Sequence, residues 1–413
     1  MHDVNQGGRA DDTPSKPSPV TSSQPASAAP ETPPSEPAID PIAEAVHAAA
    51  IWGDESPAAD LAGAFFEPEG PPILRGLRIW LVMIGVLGMT GVLLGQAEMA
   101  LLVTLAGAFV AAHAADRDPI YRPLHLLLTG VLVAGSALMF GALAVWLATQ
   151  RGPGPLRPLA AGIAGGAAVL SVLTVWRPLA DGMASAVFRT LHPNHVTRLG
   201  GRVVLMVMLF LIPGWAAFPS LIDIAVDRGE PLLDNRQLVS GLLGLVVLAL
   251  GGIGFMVRRG LGASLERLGL RVPRRSHLIV LVIGVVGLYL LNLGVESIQR
   301  TFFPALWQHD DRINHLLAGG LGVGGMILLG LSAGVGEELA MRGALQPRLG
   351  LVFTAVVFAS LHVHYSWIGI ATILLLGIVL GVIRDRTSTT VAILVHSAYD
   401  FLAVITNGTS GGH

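Results

Sequence analysis

The stretch "GVGEELAMRGALQP", residues 334–347, places two glutamates and one arginine inside otherwise apolar sequence. The preceding "LGVGGMILLGLSA" and the following "LGLVFTAVVFASL" carry no charged residue. Ionisable groups are costly inside a membrane segment, and they commonly mark a functional site there. The stretch therefore predicts a membrane-spanning helix that carries chemistry.

The composition of the whole chain supports a membrane protein. Of its 413 residues, 52% are hydrophobic and 13% are charged, whereas a soluble domain carries about 25% charged residues. The net charge of −2 argues against a nucleic-acid partner. The chain has no cysteine, which excludes disulfides, thiolate metal sites and cysteine nucleophiles.

Eleven apolar runs follow one another along the chain. Most approach the ~20 residues that a helix needs to cross a bilayer, although the ninth is short. Backbone polar groups in hydrocarbon must be satisfied within the segment, so the runs are predicted to be helices. The fold class is therefore all-α, a polytopic transmembrane bundle of about eleven spans. The runs are 79–96, 99–115, 124–148, 156–176, 203–219, 238–257, 277–295, 320–341, 350–364, 367–383 and 390–406.

Three regions are predicted from composition. Residues 1–73 are rich in Pro, Ser and Ala and are expected to form a disordered tail, since they cannot bury enough apolar surface to fold. Residues 74–257 hold six of the apolar runs, and residues 258–413 hold the charged stretch. The segment 258–277 contains six arginines and one glutamate. Such a loop faces the cytoplasm, so we expect a cytoplasmic N-terminus, in a bacterial cytoplasmic membrane.

Helical spacing sorts the charged groups of the first stretch. Glu338 and Arg342 are four residues apart, so they share a helix face and can form an ion pair. Glu337 lies about 100° further round the helix and meets different neighbours. One carboxylate is then held by the arginine while the other is free to work.

Two later apolar runs add polar groups at the same spacing. "FASLH" places Phe358 four residues before His362, and "HSAYD" places His396 four residues before Asp400. Counted along their helices from the nearest arginines, these histidines and Glu337 lie at similar depths of about 15–21 Å. A shared site within the membrane is therefore expected.

Three motifs in this order resemble the CPBP family of CAAX proteases and bacteriocin-processing enzymes. "EELAMR" is similar to the family motif EExxxR, "FASLH" to FxxxH, and "HSAYD" to HxxxN or HxxxD. The resemblance covers residues 333–406, and more loosely 258–406, because "LERLGLRVPRR" resembles a common lead-in to the family core. The six runs before it fall outside the resemblance.

The resemblance implies an intramembrane glutamic endopeptidase with no metal and no other cofactor. Glu337 would be the general base, and His362 would help to hold and activate the water. His396 and the residue at position 400 would stabilise the oxyanion. The family often has Asn there, and Asp400 has acceptors only when ionised. It would then either orient His396 as a carboxylate or act in its protonated form.

The remaining residues of the motifs have supporting roles in this prediction. The pair of Glu338 and Arg342 would support the site, and Phe358 would pack beside the imidazole of His362. The expected substrate is a membrane-embedded or lipid-anchored protein or peptide within the bilayer, reached from the cytoplasmic side.

Three other functions fit the same polar cluster. Glu337, His362 and His396 resemble a two-histidine, one-glutamate zinc set, although HExxH is absent. A non-enzymatic immunity or partner-binding protein could use the cluster structurally. A transporter could use it as a proton relay.

Overall fold

The computed structural model describes residues 71–150, 156–227, 233–318 and 320–410. Within these ranges the regular elements are helices, with a single isolated β-bridge between Phe255 and Arg259. The predicted all-α class is confirmed. Almost all of the predicted N-terminal tail lies outside the described residues.

Seven helices precede the arginine-rich segment 258–277. A short 3-10 turn, Pro119–Tyr121, joins the second helix to the third. The seven are α1 (Ile73–Leu93), α2 (Ala97–Arg117), α3 (Arg122–Thr149), α4 (Arg157–Leu173), α5 (Arg177–Phe188), α6 (His195–Asp227) and α7 (Asn235–Ile253).

Seven more helices complete the described chain. They are α8 (Leu261–Arg267), α9 (His277–Phe302), α10 (Pro304–Ala318), α11 (Val323–Leu349), α12 (Leu351–Ser360), α13 (Trp367–Arg386) and α14 (Thr389–Ser410). Each of the eleven predicted apolar runs overlaps one of these helices, and the run 156–176 overlaps α4 but not α5.

Nine of the described helices are long and apolar enough to cross a membrane, and the protein is an integral membrane protein. A tenth span results if α4 and α5 are taken together, but they are bent by 112°. The bend occurs where Trp176 is extended and a new helix begins with a proline in its first turn. The short ninth predicted run, 350–364, corresponds to α12, which has only 10 residues.

The chain after α12 nevertheless reaches the far end of the bundle. The backbone N–H of Ser366 donates to Asp310 of α10 at 2.6 Å, and the side chain of Gln299, near the end of α9, donates to the same aspartate. At the other end of α13, Gln346 donates to Asp385 at 2.7 Å. The short helix α12 and the irregular segment 361–366 therefore cross the bundle together as one span.

Glycines let α11 approach its neighbours closely. A Cβ at Gly334 would lie 2.7 Å from the backbone nitrogen of Ser397 in α14, and one at Gly330 would lie 2.7 Å from the carbonyl oxygen of the same serine. On another face, a Cβ at Gly336 would lie 3.0 Å from Leu245 of α7. Small residues of this kind allow close helix packing in membranes, and they bring α7, α11 and α14 together.

Candidate active site

A cavity of about 540 Å³ lies among α2, α7, α9–α14 and the segment 361–366. Five of the seven predicted site residues line it, and the other two, Glu338 and Arg342, are buried beside it. The five are Glu337, Phe358, His362, His396 and Asp400.

The backbone of α11 changes its winding where the charged residues lie. Residues Ala333–Glu337 and Leu339–Leu345 form π-helical turns, whereas the sequence was interpreted as a regular α-helix. π-Helical turns are frequent at functional sites. Within this segment Glu337 lines the cavity and makes no hydrogen bond or ion pair with another described residue. It is the free carboxylate that the spacing predicts.

Glu338 is the fully buried partner of the arginine. Its Oε1 lies 3.3 Å from Arg342, and the two side chains are 0% and 1% exposed. Arg342 also donates to the carbonyl of Gly377 at 3.2 Å, and its guanidinium lies 4.6 Å from the centre of the Phe358 ring. The predicted ion pair is confirmed.

A second contact of Glu338 was not predicted. The Nδ1 of His396 lies 2.9 Å from Glu338 Oε1, and its Nε2 lies 3.3 Å from Asp400 Oδ2. Because a carboxylate at one imidazole nitrogen fixes the orientation of the ring, Glu338 is placed to orient His396. Asp400 then lies at Nε2, on the other side of the ring. His396 and Asp400 both line the cavity.

His362 is held in a defined tautomer. Its Nδ1 lies 3.0 Å from the carbonyl oxygen of Phe358, one helical turn earlier. A carbonyl only accepts, so Nδ1 carries the proton and a neutral ring keeps Nε2 as an acceptor. The Phe358 ring packs against His362 with ring centres 4.8 Å apart, as the spacing predicts.

Residues 320–402 match the family model described as type II CAAX prenyl endopeptidase Rce1-like. This segment is Rce1-like. The match confirms the resemblance seen in the motifs, and the family implies a hydrolase that acts as a protease on membrane-associated proteins. Neither a search of curated proteins nor a search of solved structures found a match for the chain. All seven predicted site residues, Glu337, Glu338, Arg342, Phe358, His362, His396 and Asp400, lie in the Rce1-like segment.

Residues outside the Rce1-like segment hold the loop that carries His362. Asp310 is buried, and it accepts from the Ser366 backbone N–H at 2.6 Å, the Ser366 hydroxyl at 2.7 Å and Gln299 at 2.7 Å. From α6, the indole of Trp215 donates to the carbonyl of Tyr365 at 3.1 Å. The sequence does not predict these contacts: Asp310 lies in "WQHDDR", which shows no motif, and its partners are distant in sequence.

The lining of the cavity extends to a different end of the bundle from the one predicted for substrate access. Its lining includes Gln237 near the start of α7 and Asp310, Asp311 and Asn314 of α10, but no residue of the arginine-rich segment 258–277. The predicted access was from the side of that segment. The reason is the position of α9. It begins immediately after the arginine-rich segment 258–277, whereas the part of α9 that lines the cavity is its opposite end.

The arrangement gives no support to the zinc alternative. Among the residues in the described ranges, no three His, Asp or Glu side chains are arranged as a set that could hold a metal ion. His396 uses its two nitrogens on carboxylates, and His362 uses Nδ1 on a carbonyl. Glu337, His362 and His396 therefore share a cavity wall without forming a ligand set.

Proposed function

We propose that the protein is an intramembrane endopeptidase in which Glu337 activates a water molecule for peptide hydrolysis. The observation that carries the proposal is the free carboxylate of Glu337 in the same cavity as His362, His396 and Asp400. A base for water and donors for the developing oxyanion are the two requirements of this reaction. The Rce1-like match supports the protease class.

Each side chain has a defined part in this mechanism. The water is held by Glu337 and by the free Nε2 of His362. Glu337 takes one of its protons as the oxygen attacks the substrate carbonyl, and passes that proton to the leaving amine. His396 acts as the imidazolium, with one N–H directed at Glu338, and its Nε2–H and a protonated Asp400 donate to the oxyanion. Glu338 keeps His396 oriented through Nδ1.

We further propose that the substrate is a membrane-embedded or lipid-anchored protein or peptide. A peptide bond inside a helix is poorly accessible, so cleavage is expected near a terminus or in an unwound segment. In this proposal α1–α7 are an additional region that frames the Rce1-like core. The substrate reaches the cavity from the end of the bundle that holds α10.

The proposal is tested with the purified full-length protein in liposomes. Internally quenched peptides, with and without a C-terminal lipid, are incubated with it in the presence and absence of a zinc chelator. We expect cleavage that the chelator does not affect. Loss of cleavage with chelator, restored by added zinc, would assign the reaction to a metal instead. No cleavage of any peptide would contradict the proposed function.

A further inference from the structure

The cavity is strongly acidic. No lysine or arginine occurs among its described lining residues, so its only basic side chains are histidines. Carboxylates that lack nearby positive charge favour a cationic occupant, most strongly where water is excluded. Six carboxylate residues line the cavity: Glu98, Glu296, Asp310, Asp311, Glu337 and Asp400.

Four of these carboxylates already have partners. Asp310 accepts from Ser366 and Gln299, and Asp400 lies next to His396, as described above. The other two pairs are weaker: the indole of Trp307 donates to Glu296 at 3.4 Å, and His315 lies 3.7 Å from Asp311. Glu98 and Glu337 have no hydrogen-bond or ion-pair partner among the described residues. Glu337 holds the water in the proposed mechanism, so Glu98 is the one carboxylate among the described lining residues with neither a polar contact nor a role in that mechanism.

Glu98 comes from α2, far outside the Rce1-like segment. The start of α2 is fixed against α7 because the Ser240 hydroxyl donates to the side chain of Gln96 at 3.0 Å. One position further along α7, Gly241 leaves space in front of the carboxylate. A Cβ at Gly241 would lie 3.8 Å from Glu98 Oε1, with nothing closer. The side chain of Glu98 is exposed and lines the cavity, so its carboxylate is open to an occupant and is not buried in a packed contact.

A second group in the cavity also lacks a partner. Tyr399 lines the cavity while only 8% exposed, and its hydroxyl makes no hydrogen bond with another described residue. A phenol oxygen accepts from a cationic N–H group, and a tyrosine ring attracts cations over its face. Tyr399 directly precedes Asp400 on α14, so its hydroxyl belongs to the same cavity as the proposed catalytic residues.

We infer that the cavity takes a positively charged side chain, lysine or arginine, of the peptide substrate, and that Glu98 is the residue that selects it. The inference rests on the proposed function, because it names the substrate class of that site. A lysine or arginine side chain would supply the opposite charge that Glu98 lacks. An acidic side chain would be repelled, and such repulsion gives specificity as effectively as attraction does.

The acidity of the cavity is measured first, without any need for catalysis. The chain has no cysteine, so Gly241→Cys places a single thiol beside Glu98. Its reaction rate is compared for a trimethylammonium-ethyl and a sulfonatoethyl methanethiosulfonate of similar size. We expect the cationic reagent to react at least about tenfold faster, after each rate is divided by the rate of the same reagent with free 2-mercaptoethanol. Adding Glu98→Gln should lower that ratio severalfold. Equal rates for the two reagents in Gly241→Cys would overturn the inference.

Substrate choice is measured second, with quenched lipidated peptides that carry Lys, Gln or Glu at each position around the scissile bond. We expect the highest kcat/KM for a Lys peptide, and a smaller Lys-to-Gln ratio in Glu98→Gln. No preference for Lys would overturn the inference even if cleavage occurs. If no peptide is cleaved, the proposed function fails. The inference is then decided by a protection experiment, in which the Lys peptide should protect the Gly241→Cys thiol from the methanethiosulfonate reagents better than the Gln peptide does. Equal protection, or protection only by an amine-bearing lipid, would overturn it.

Discussion

Replacing Glu338 with glutamine tests the buried network on which the site depends. The substitution preserves shape and leaves an oxygen that can still accept from His396, but it removes the negative charge next to Arg342. That arginine is 1% exposed and lies 3.3 Å from the carboxylate. Its remaining contacts are a carbonyl and an aromatic ring, which are weaker partners for a buried cation.

The expected cost follows from this environment. Removing one member of a buried ion pair typically costs about 3–5 kcal/mol, because the other charge stays buried and unpaired. Glu338→Gln should fall near the lower end, about 3 kcal/mol, since the contact with His396 can persist. Arg342→Met should cost a similar amount by leaving Glu338 unpaired. The double variant should cost about 2 kcal/mol less than the sum of the two, because residues in contact are not additive.

The assay is reversible unfolding of the purified protein in mixed micelles with increasing SDS, followed by tryptophan fluorescence. Glu266→Gln is the matched control, since Glu266 lies exposed in the arginine-rich segment and its substitution should change the free energy of unfolding by less than about 0.5 kcal/mol. If Glu338→Gln is as stable as this control, the charge of Glu338 contributes nothing and the reasoning is wrong.

Three further predictions address packing, chemistry and topology. Gly334→Ala should destabilise the protein by about 1–3 kcal/mol through overpacking against α14, and the same unfolding assay should show no such loss for Gly287→Ala, where a Cβ would meet nothing within 4 Å. Asp400→Asn should keep its peptidase rate within about tenfold of the parent, while Asp400→Ala should lose about 10²-fold; a sharp loss in the Asn variant would show that an ionised carboxylate is needed. Thiols introduced by Ser276→Cys and Thr301→Cys, at opposite ends of α9, should be labelled by an impermeant maleimide from opposite sides of the membrane, and labelling from one side would refute the topology.

The sequence predicts the parts of the site that local geometry determines. A spacing of four residues in a helix places two side chains on one face. For this reason the Glu338–Arg342 pair, the Phe358–His362 contact and the His396–Asp400 contact were all foreseeable. The helical class was equally foreseeable, because a bilayer leaves the backbone of an apolar run few alternatives.

Contacts between distant parts of the chain could not be predicted in the same way. The bond from His396 to Glu338 depends on how closely α14 approaches α11, which the glycines permit but do not specify. The three bonds that Asp310 accepts depend on the position of α10 relative to the segment 361–366. Glu98 reaches the cavity only because α2 packs on α7. No local pattern marks any of these contacts, since the information lies in tertiary packing.

The peptidase rate of Glu337→Gln in liposomes decides whether Glu337 is the base that activates the water. Glutamine keeps the shape of the side chain but cannot accept a proton from water, so folding should survive and the rate should fall by about 10²–10⁴-fold. His362→Ala should fall comparably, and the double variant should be little slower than either, because groups that act on one water are not additive. A rate in Glu337→Gln equal to that of the Glu266→Gln control would contradict the assignment of Glu337 as the base.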